Sequence, residues 1–512
     1  MHGLFGRSRV PPTPFALGVS FLAGLAQAVS IANPWNGQPL WWLQLLSMGG
    51  LYWLVERAAT PRRAALLGGV FAWAWLSGTF WWLFISLHTY GGLPAVLAVL
   101  AVGGLAAALA LPYALACGCF KALAPVHPAA RAVVFAFSWL LAELARGQWL
   151  TGFPWGAGGY AQLDGLAVLA RYVGVYGVGW MASLVAACVV LRQWRVLALV
   201  ALLVASADSV VLPPNDPAAS LPVTLLQGNI PQDEKFEPGA GVPVALNWYG
   251  AQLAQARTLL VVAPETAIPM LPQQLPAGYW AGLLERFASG GQTALIGVPL
   301  GNAKDGYLNA VVGLQPGKPE PYAYAKHHLV PFGEFIPPLF KWFTAMLNIP
   351  LGDFNRGAVG PPSLGLAGQR LAPNICYEDL FGEELGARFI DPAQAPTIFV
   401  NISNIGWFGD SLAIDQHLSI SRMRTLEFER PMLRATNTGA TAIIDHQGRV
   451  VQALPRLTRG VLVGQVEGRG LNATSGWRIT PYAWWVARMG LWPLWGLGVL
   501  AWVLAWWAPR RR

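Results

Sequence analysis

From residue 92 to residue 120 the chain carries no charged side chain. Inside a bilayer, backbone N–H and C=O groups have only each other to bond, so an apolar run of that length folds as a spanning helix. Spanning takes roughly 20 mostly apolar residues. Seven such runs precede residue 213, at about 14–32, 38–56, 64–87, 92–120, 132–150, 166–191 and 196–212, and an eighth covers about 483–508. Asp208 lies near the end of the seventh, which makes that run the weakest of the set. Charged residues are 12% of the 512, half the roughly 25% of a soluble domain.

The loops between these runs give an orientation. Arg7 and Arg9, then Arg57, Arg62 and Arg63, then Lys121 and Arg131, then Arg192 and Arg195, and finally Arg510, Arg511 and Arg512 fall on one side. The alternate loops 32–37 and 88–92 hold no Lys or Arg, which predicts both termini in the cytoplasm. Arg146 and Arg171 are exceptions. The net charge of +9 is thereby explained by topology, and nucleic-acid binding is set aside. The first run also fits a cleaved signal peptide, with its basic start and "AQA", although its length favours an uncleaved anchor. Cys117, Cys119 and Cys188 lie inside runs and read as small apolar filler.

The middle of the chain differs in kind. Short β-rich runs such as "PVTLLQGNI", "TLLVVAPETAI", "TALIGVP", "PTIFVNIS" and "GVLVGQVE" alternate with turns and amphipathic stretches. Helices are expected at about 241–256, 277–289 and 415–430, and "DHQG" reads as a hairpin turn. The expected division is therefore 1–212 for the spanning part, 213–471 for one α/β domain and 472–512 for the last span. Seven crossings place the α/β domain outside the cytoplasm.

That domain contains one cysteine, Cys376. A lone cysteine in an oxidising compartment pairs between molecules or stays a reactive thiol, whereas a single cysteine taken at random is more often buried and inert. Three features favour reactivity. Cys376 ends a strand and opens a helix-like stretch, where backbone N–H groups would favour the thiolate. Glu265 follows a buried-looking strand between Pro264 and Pro269, poorly solvated and suited to act as a base. Lys326 ends another run, eight positions before Glu334, and a lysine can stabilise an oxyanion. Singly, a turn cap and a surface ion pair explain these residues as well; together they describe nucleophile, base and electrophilic stabiliser.

Glu in "PET", Lys in "YAKHHLVPFGE" and Cys in "NICYE", in that order, resemble the Glu-Lys-Cys triad of the nitrilase superfamily. Members of that superfamily are α/β/β/α sandwiches that form a thioester from an acyl donor. With membrane runs on either side, the resemblance narrows to the apolipoprotein N-acyltransferase family. It covers essentially the whole chain, through "TGFPW", "QGNIPQDEKF", "HHLVPFGEFIP", "ICYE", "NISNIGWFGDS" and "RATNTGATA". The resemblance implies a bacterial inner-membrane enzyme that moves an acyl chain, expected from the sn-1 position of phosphatidylethanolamine, through a thioester on Cys376. The acceptor would be the α-amine of a diacylglyceryl-cysteine, in the last step of lipoprotein maturation. Glu265 would be the base and Lys326 the oxyanion partner, with Glu334, Tyr377 and Glu378 positioning them. Asn309, Trp407 and Arg434 would line the site. One departure is visible: where the family often carries Trp after "NIPQ", this chain has Phe236, which lacks the indole N–H.

Residues 337–354, "PPLFKWFTAMLNIPLGDF", read either as a membrane-dipping lid or as a core helix. Trp407-Phe408 could be a second arm, with aromatic packing the simpler account. Glu143 and Arg146 fit a lipid-headgroup contact or a structural pair equally. No metal or nucleotide cofactor is expected: HExxH, paired-Cys, P-loop and dinucleotide patterns are missing. The partners expected are a phospholipid donor, a diacylated apolipoprotein and the bilayer, with the enzyme a monomer. Two rivals remain: a membrane-tethered amidase passing the acyl group to water, and a non-enzymatic transporter or lipid-binding protein indifferent to loss of Cys376.

Overall fold

A computed structural model describes residues 13–207, 220–336, 354–470 and 479–509. The chain divides into two units: 1–81, 96–210 and 491–512 form one, and 82–95 with 211–490 form the other.

The first unit is helical. Four helices are long and apolar enough to cross a membrane: Thr13–Ile31, Ala95–Leu123, Pro128–Thr151 and Leu166–Val190. The number reaches six if the interrupted pairs Pro61–Thr79 with Leu83–Tyr90, and Pro481–Met489 with Trp492–Trp507, each count as one span. The eight expected runs therefore do not all appear as full-length spans. Trp41–Arg57 has 17 residues, and the described part of the seventh run, Trp194–Ala207, has 14. At Gly490, φ is +54°, a conformation that ends the preceding helix at low cost only for glycine.

Glu143 and Arg146 are buried inside this unit and hold backbone. Glu143 accepts the Gly158 N–H at 2.7 Å. Arg146 donates to the Tyr113 hydroxyl at 2.8 Å and to the carbonyls of Phe153 and Trp155 at 2.6 and 2.7 Å. Arg146 thus fastens the "TGFPW" segment against the helices and Glu143 holds Gly158 just beyond it, a structural role for each through backbone rather than through a mutual ion pair.

The second unit contains twelve strands among the described residues. One sheet has the order β12-β1-β2-β3-β4-β5 and the other β11-β10-β9-β8-β7-β6. The strands are β1 Ser220–Gln227, β2 Leu260–Val262, β3 Thr293–Asn302, β4 Gly306–Leu314, β5 Tyr322–Ala325, β6 Leu364–Leu366, β7 Gln369–Ile375, β8 Ile398–Ser403, β9 Met432–Thr436, β10 Ala442–Ile444, β11 Val450–Ala453 and β12 Gly460–Glu467. In each sheet three strands run parallel, β1-β2-β3 and β7-β8-β9, and the outer ones pair antiparallel.

Strand periodicity builds the layers. Leu221, Val223 and Leu225 of β1 face Leu371, Ile398, Val400 and Leu433 of the other sheet in one buried core. Leu226, Val261, Ala294 and Ile296 point the other way, onto Leu246, Tyr249, Leu253, Leu283 and Phe287 of the helices Gly241–Gln255 and Tyr279–Ser289. The outer face of the second sheet meets Phe389, Phe428 and Tyr482 around Phe399. The result is an α/β/β/α sandwich. The expected helices fall within two residues of those formed, and Asp445–Gly448 makes the turn between β10 and β11.

Candidate active site

Ligand sites of parallel sheets gather beyond the carboxyl ends of the strands. Here the ends of β2, β7 and β8 deliver Glu265, Cys376 and Asn404, and β5 delivers Lys326. The residues expected to form a triad, 111 positions apart from first to last, therefore meet through the topology of two sheets.

Cys376 stands at the turn from β7 into a single 3-10 turn, Cys376–Leu380, with φ +52°. A side chain seldom takes a left-handed conformation, so surrounding structure has to hold it there. Glu378 closes the turn: it accepts the Ile375 N–H and the His327 N–H at 2.7 Å and the Tyr324 hydroxyl at 2.6 Å. One carboxylate so ties the cysteine turn to the loop that follows Lys326. Behind the turn, His417 Nε2 donates to the Cys376 carbonyl at 3.1 Å, and Arg434 donates to His417 Nδ1 at 2.7 Å. Arginine only donates, which fixes the His417 tautomer as Nε2–H. Arg434 is fully buried and pairs with Asp379 at 3.7 Å. Its place is in the core behind the nucleophile, where it supports the backbone, rather than on the wall of the site.

Glu265 is 7% exposed, and both of its oxygens are occupied. Oε1 takes Asn309 Nδ2 at 2.7 Å and Lys326 Nζ at 3.4 Å; Oε2 takes the Asn404 N–H at 2.8 Å. The turn packs directly on β3: a Cβ at Gly297 would come within 2.2 Å of the Pro264 carbonyl. Glu334 lies 2.9 Å from Lys326 Nζ and also accepts from Asn309 at 2.7 Å. Asn309 thus bridges two carboxylates. Lys326 and Glu334 form a buried pair, with the lysine 1% exposed, and the surface alternative falls away.

The charges follow from this burial. The Cys376 thiol is pushed up to about 12, first by desolvation and then by the negative charge of Glu265, with Lys326 opposing. Cys376 opens a single 3-10 turn rather than a full helix, and desolvation weighs against the thiolate there. Burial works against the charge on Lys326, but Glu265 and Glu334 outweigh it and hold the ammonium well above the ordinary lysine range. A half-buried thiol beside a carboxylate and a fixed cation can be deprotonated at the moment of attack.

The remaining expected residues are distributed unevenly. Tyr377 is buried against His328 and Phe381, at 5.6 and 5.3 Å between ring centroids. Phe236 is 45% exposed. Trp407 meets Tyr90 edge-on at 5.9 Å and Phe408 meets Trp82 at 4.3 Å, so aromatic packing describes both. The candidate lid, 337–354, lies outside the described residues apart from Phe354. Sequence reasoning missed His417, Asn404 and Lys235. Lys235 stands in the motif "IPQDEKF", one residue before Phe236.

Residues 23–188 match the family model of the apolipoprotein N-acyltransferase N-terminal domain, and residues 222–474 match that of carbon-nitrogen hydrolase. The apolipoprotein N-acyltransferase of Verminephrobacter eiseniae is 62% identical over 508 residues, covering 94% of each chain. That of Ralstonia nicotianae is 43% identical over 511 residues, covering 97% of this chain and 94% of the other. Among solved structures, an amidase of the nitrilase superfamily from Nesterenkonia aligns at 16% identity over 50% of this chain and 93% of its own, with a TM-score of 0.36.

Proposed function

Since the chain belongs to the apolipoprotein N-acyltransferase family of lipoprotein-maturation enzymes, we propose that Cys376, Glu265 and Lys326 carry its acyl transfer. The observation that bears most weight is the half-buried thiol at φ +52°, next to Glu265, whose carboxylate lies 3.4 Å from the buried amine of Lys326.

In the first half-reaction Glu265 takes the thiol proton and Cys376 Sγ attacks an ester carbonyl of a phospholipid, the sn-1 ester of phosphatidylethanolamine. Lys326 and backbone N–H groups of the turn stabilise the tetrahedral oxyanion. The C–O bond breaks, the alkoxide receives the proton from Glu265, and the lysophospholipid leaves. In the second, the α-amine of a diacylglyceryl-cysteine attacks the thioester, the C–S bond breaks, and Cys376 regains its proton through Glu265. Glu334 and Asn309 hold Lys326 and Glu265 in register, and Glu378, Tyr377 and Arg434 hold the cysteine turn. Phe236 and Trp407 line the substrate pocket, Trp407 braced by the Tyr90 ring.

The working arrangement is a monomer in the bacterial inner membrane, with eight crossings, both termini cytoplasmic and residues 213–471 on the outer side. The loop charges support this orientation. Intact-mass spectrometry of protein incubated with phosphatidylethanolamine tests the mechanism. A gain of one acyl chain, released by hydroxylamine and missing in Cys376→Ala, is expected, followed by discharge onto a diacylated lipopeptide. Lipopeptide acylation with no adduct would mean direct transfer, and free fatty acid as the main product would mean an amidase-like enzyme.

A further inference from the structure

A second buried amine lies beside the proposed triad. Lys235 sits in the loop after β1, is 1% exposed, and donates from Nζ to the Glu265 backbone carbonyl at 3.1 Å. Its other recorded contact is the ring of Phe236, 5.8 Å away. An ammonium has three N–H groups, so two of them have no partner among the described residues. Lys326 differs: two carboxylates hold it.

A buried cation with one neutral acceptor is costly, and the group sheds its proton readily. Desolvation draws Lys235 down to about 7, against the opposing charge of Glu265; the other titratable group that faces it is the Cys376 thiol, which would oppose the shift only when ionised. Its neutral form is therefore accessible near neutral pH, whereas Lys326 stays charged.

The proposed second half-reaction needs a base of this kind. An α-amine has an ordinary pKa of about 7.7–8.0, so near neutral pH the acceptor arrives mostly as an ammonium without a lone pair. It must lose one proton before attack and another as the amide forms. Glu265 can carry the second, which returns to Cys376; the first needs another acceptor. We propose that the neutral amine of Lys235 takes that first proton from the α-ammonium of the acceptor, making Lys235 a catalytic base for transfer to amines. The N–H bond of the ammonium breaks, a new N–H bond forms on Lys235, and Lys235 later releases the proton to water. The free amine then attacks the thioester as above.

This inference rests on the thioester reading, and the two fail differently. Acyl-enzyme is formed with phosphatidylethanolamine and its discharge by a diacylated lipopeptide is timed from about pH 6 to about pH 9, on either side of the α-amine's own pKa. Wild type is compared with Lys235→Met, Lys235→Arg and Lys235→Gln. Each variant should lose more in discharge than in acyl uptake, roughly tenfold more near neutral pH if about one unit of proton affinity is at stake. The deficit should shrink as pH rises, because the amine then arrives unprotonated. It should shrink also with hydroxylamine, which is already neutral. Lys235→Arg should behave like Lys235→Met, since a guanidinium cannot become a base. Uptake and discharge falling by one factor, a deficit constant with pH, or Lys235→Arg discharging like wild type would each overturn the proposal. Wild type that forms no adduct would sink the thioester reading instead.

Discussion

At the residue scale the site is governed by burial. Desolvation, and then the charge of Glu265, push the Cys376 thiol up, so its activation is coupled to the base rather than stored beforehand. The sign gives a test. A thiol raised toward about 12 exposes little thiolate below that pH, so alkylation by iodoacetamide should be slow at neutral pH and climb through the alkaline range. Glu265→Gln removes the second cause of the shift, so alkylation at fixed pH should quicken while acyl uptake falls by a factor of roughly 10²–10⁴. Slower alkylation in that variant would contradict this account of the thiol. Asn309→Ala should cost about 1–3 kcal/mol, because two carboxylates lose a shared donor. A thermal melt alongside the acyl-uptake rate would measure it.

At the scale of elements, the helix Ala413–Phe428 and β9 exist in part to hold one backbone carbonyl. His417 and Arg434 together fix the cysteine turn from behind. Arg434→Met leaves Asp379 buried without its ion partner, and a loss of about 3–5 kcal/mol is expected in thermal or denaturant unfolding. Gly297→Ala places a methyl group against the Pro264 carbonyl and should push the Glu265 turn off β3. Acyl uptake should then fall although every proposed catalytic side chain is retained; unchanged uptake would show that the turn tolerates displacement. The strands that carry these residues were legible as alternating or apolar runs bounded by Pro, Gly and Asn. The partners were not, because His417 meets Cys376 from 41 positions away and Asn404 meets Glu265 from 139.

At the scale of the whole molecule, the two units are each internally consistent, and the proposed orientation is open to direct test. Cysteines placed at the exposed positions Lys304 and Arg62 should respond oppositely to a membrane-impermeant maleimide applied to spheroplasts. Lys304→Cys should label and Arg62→Cys should not; the reverse pattern would invert the topology. Trp82–Ala95 adds something the runs did not suggest. Although continuous with an apolar run, it belongs with the α/β unit, where Trp82 Nε1 donates to Gln416 at 2.9 Å and its ring meets Phe408.

The sequence by itself determined that the chain has a lipid-compatible part and an α/β part, because chain-length apolar runs and two-residue alternation are local patterns with local physical causes. It also marked Glu265, Lys326 and Cys376, since each stands where an apolar strand gives way to polar residues and the surrounding motifs resemble one family. Only the tertiary structure decided which apolar segments cover protein instead of fitting a span, because lipid and an aromatic protein surface accept the same side chains. It alone set the surroundings that shift proton affinity as well: the directions for Cys376 and Lys235 depend on which charges approach within a few ångströms and on desolvation. No stretch of sequence carries that information.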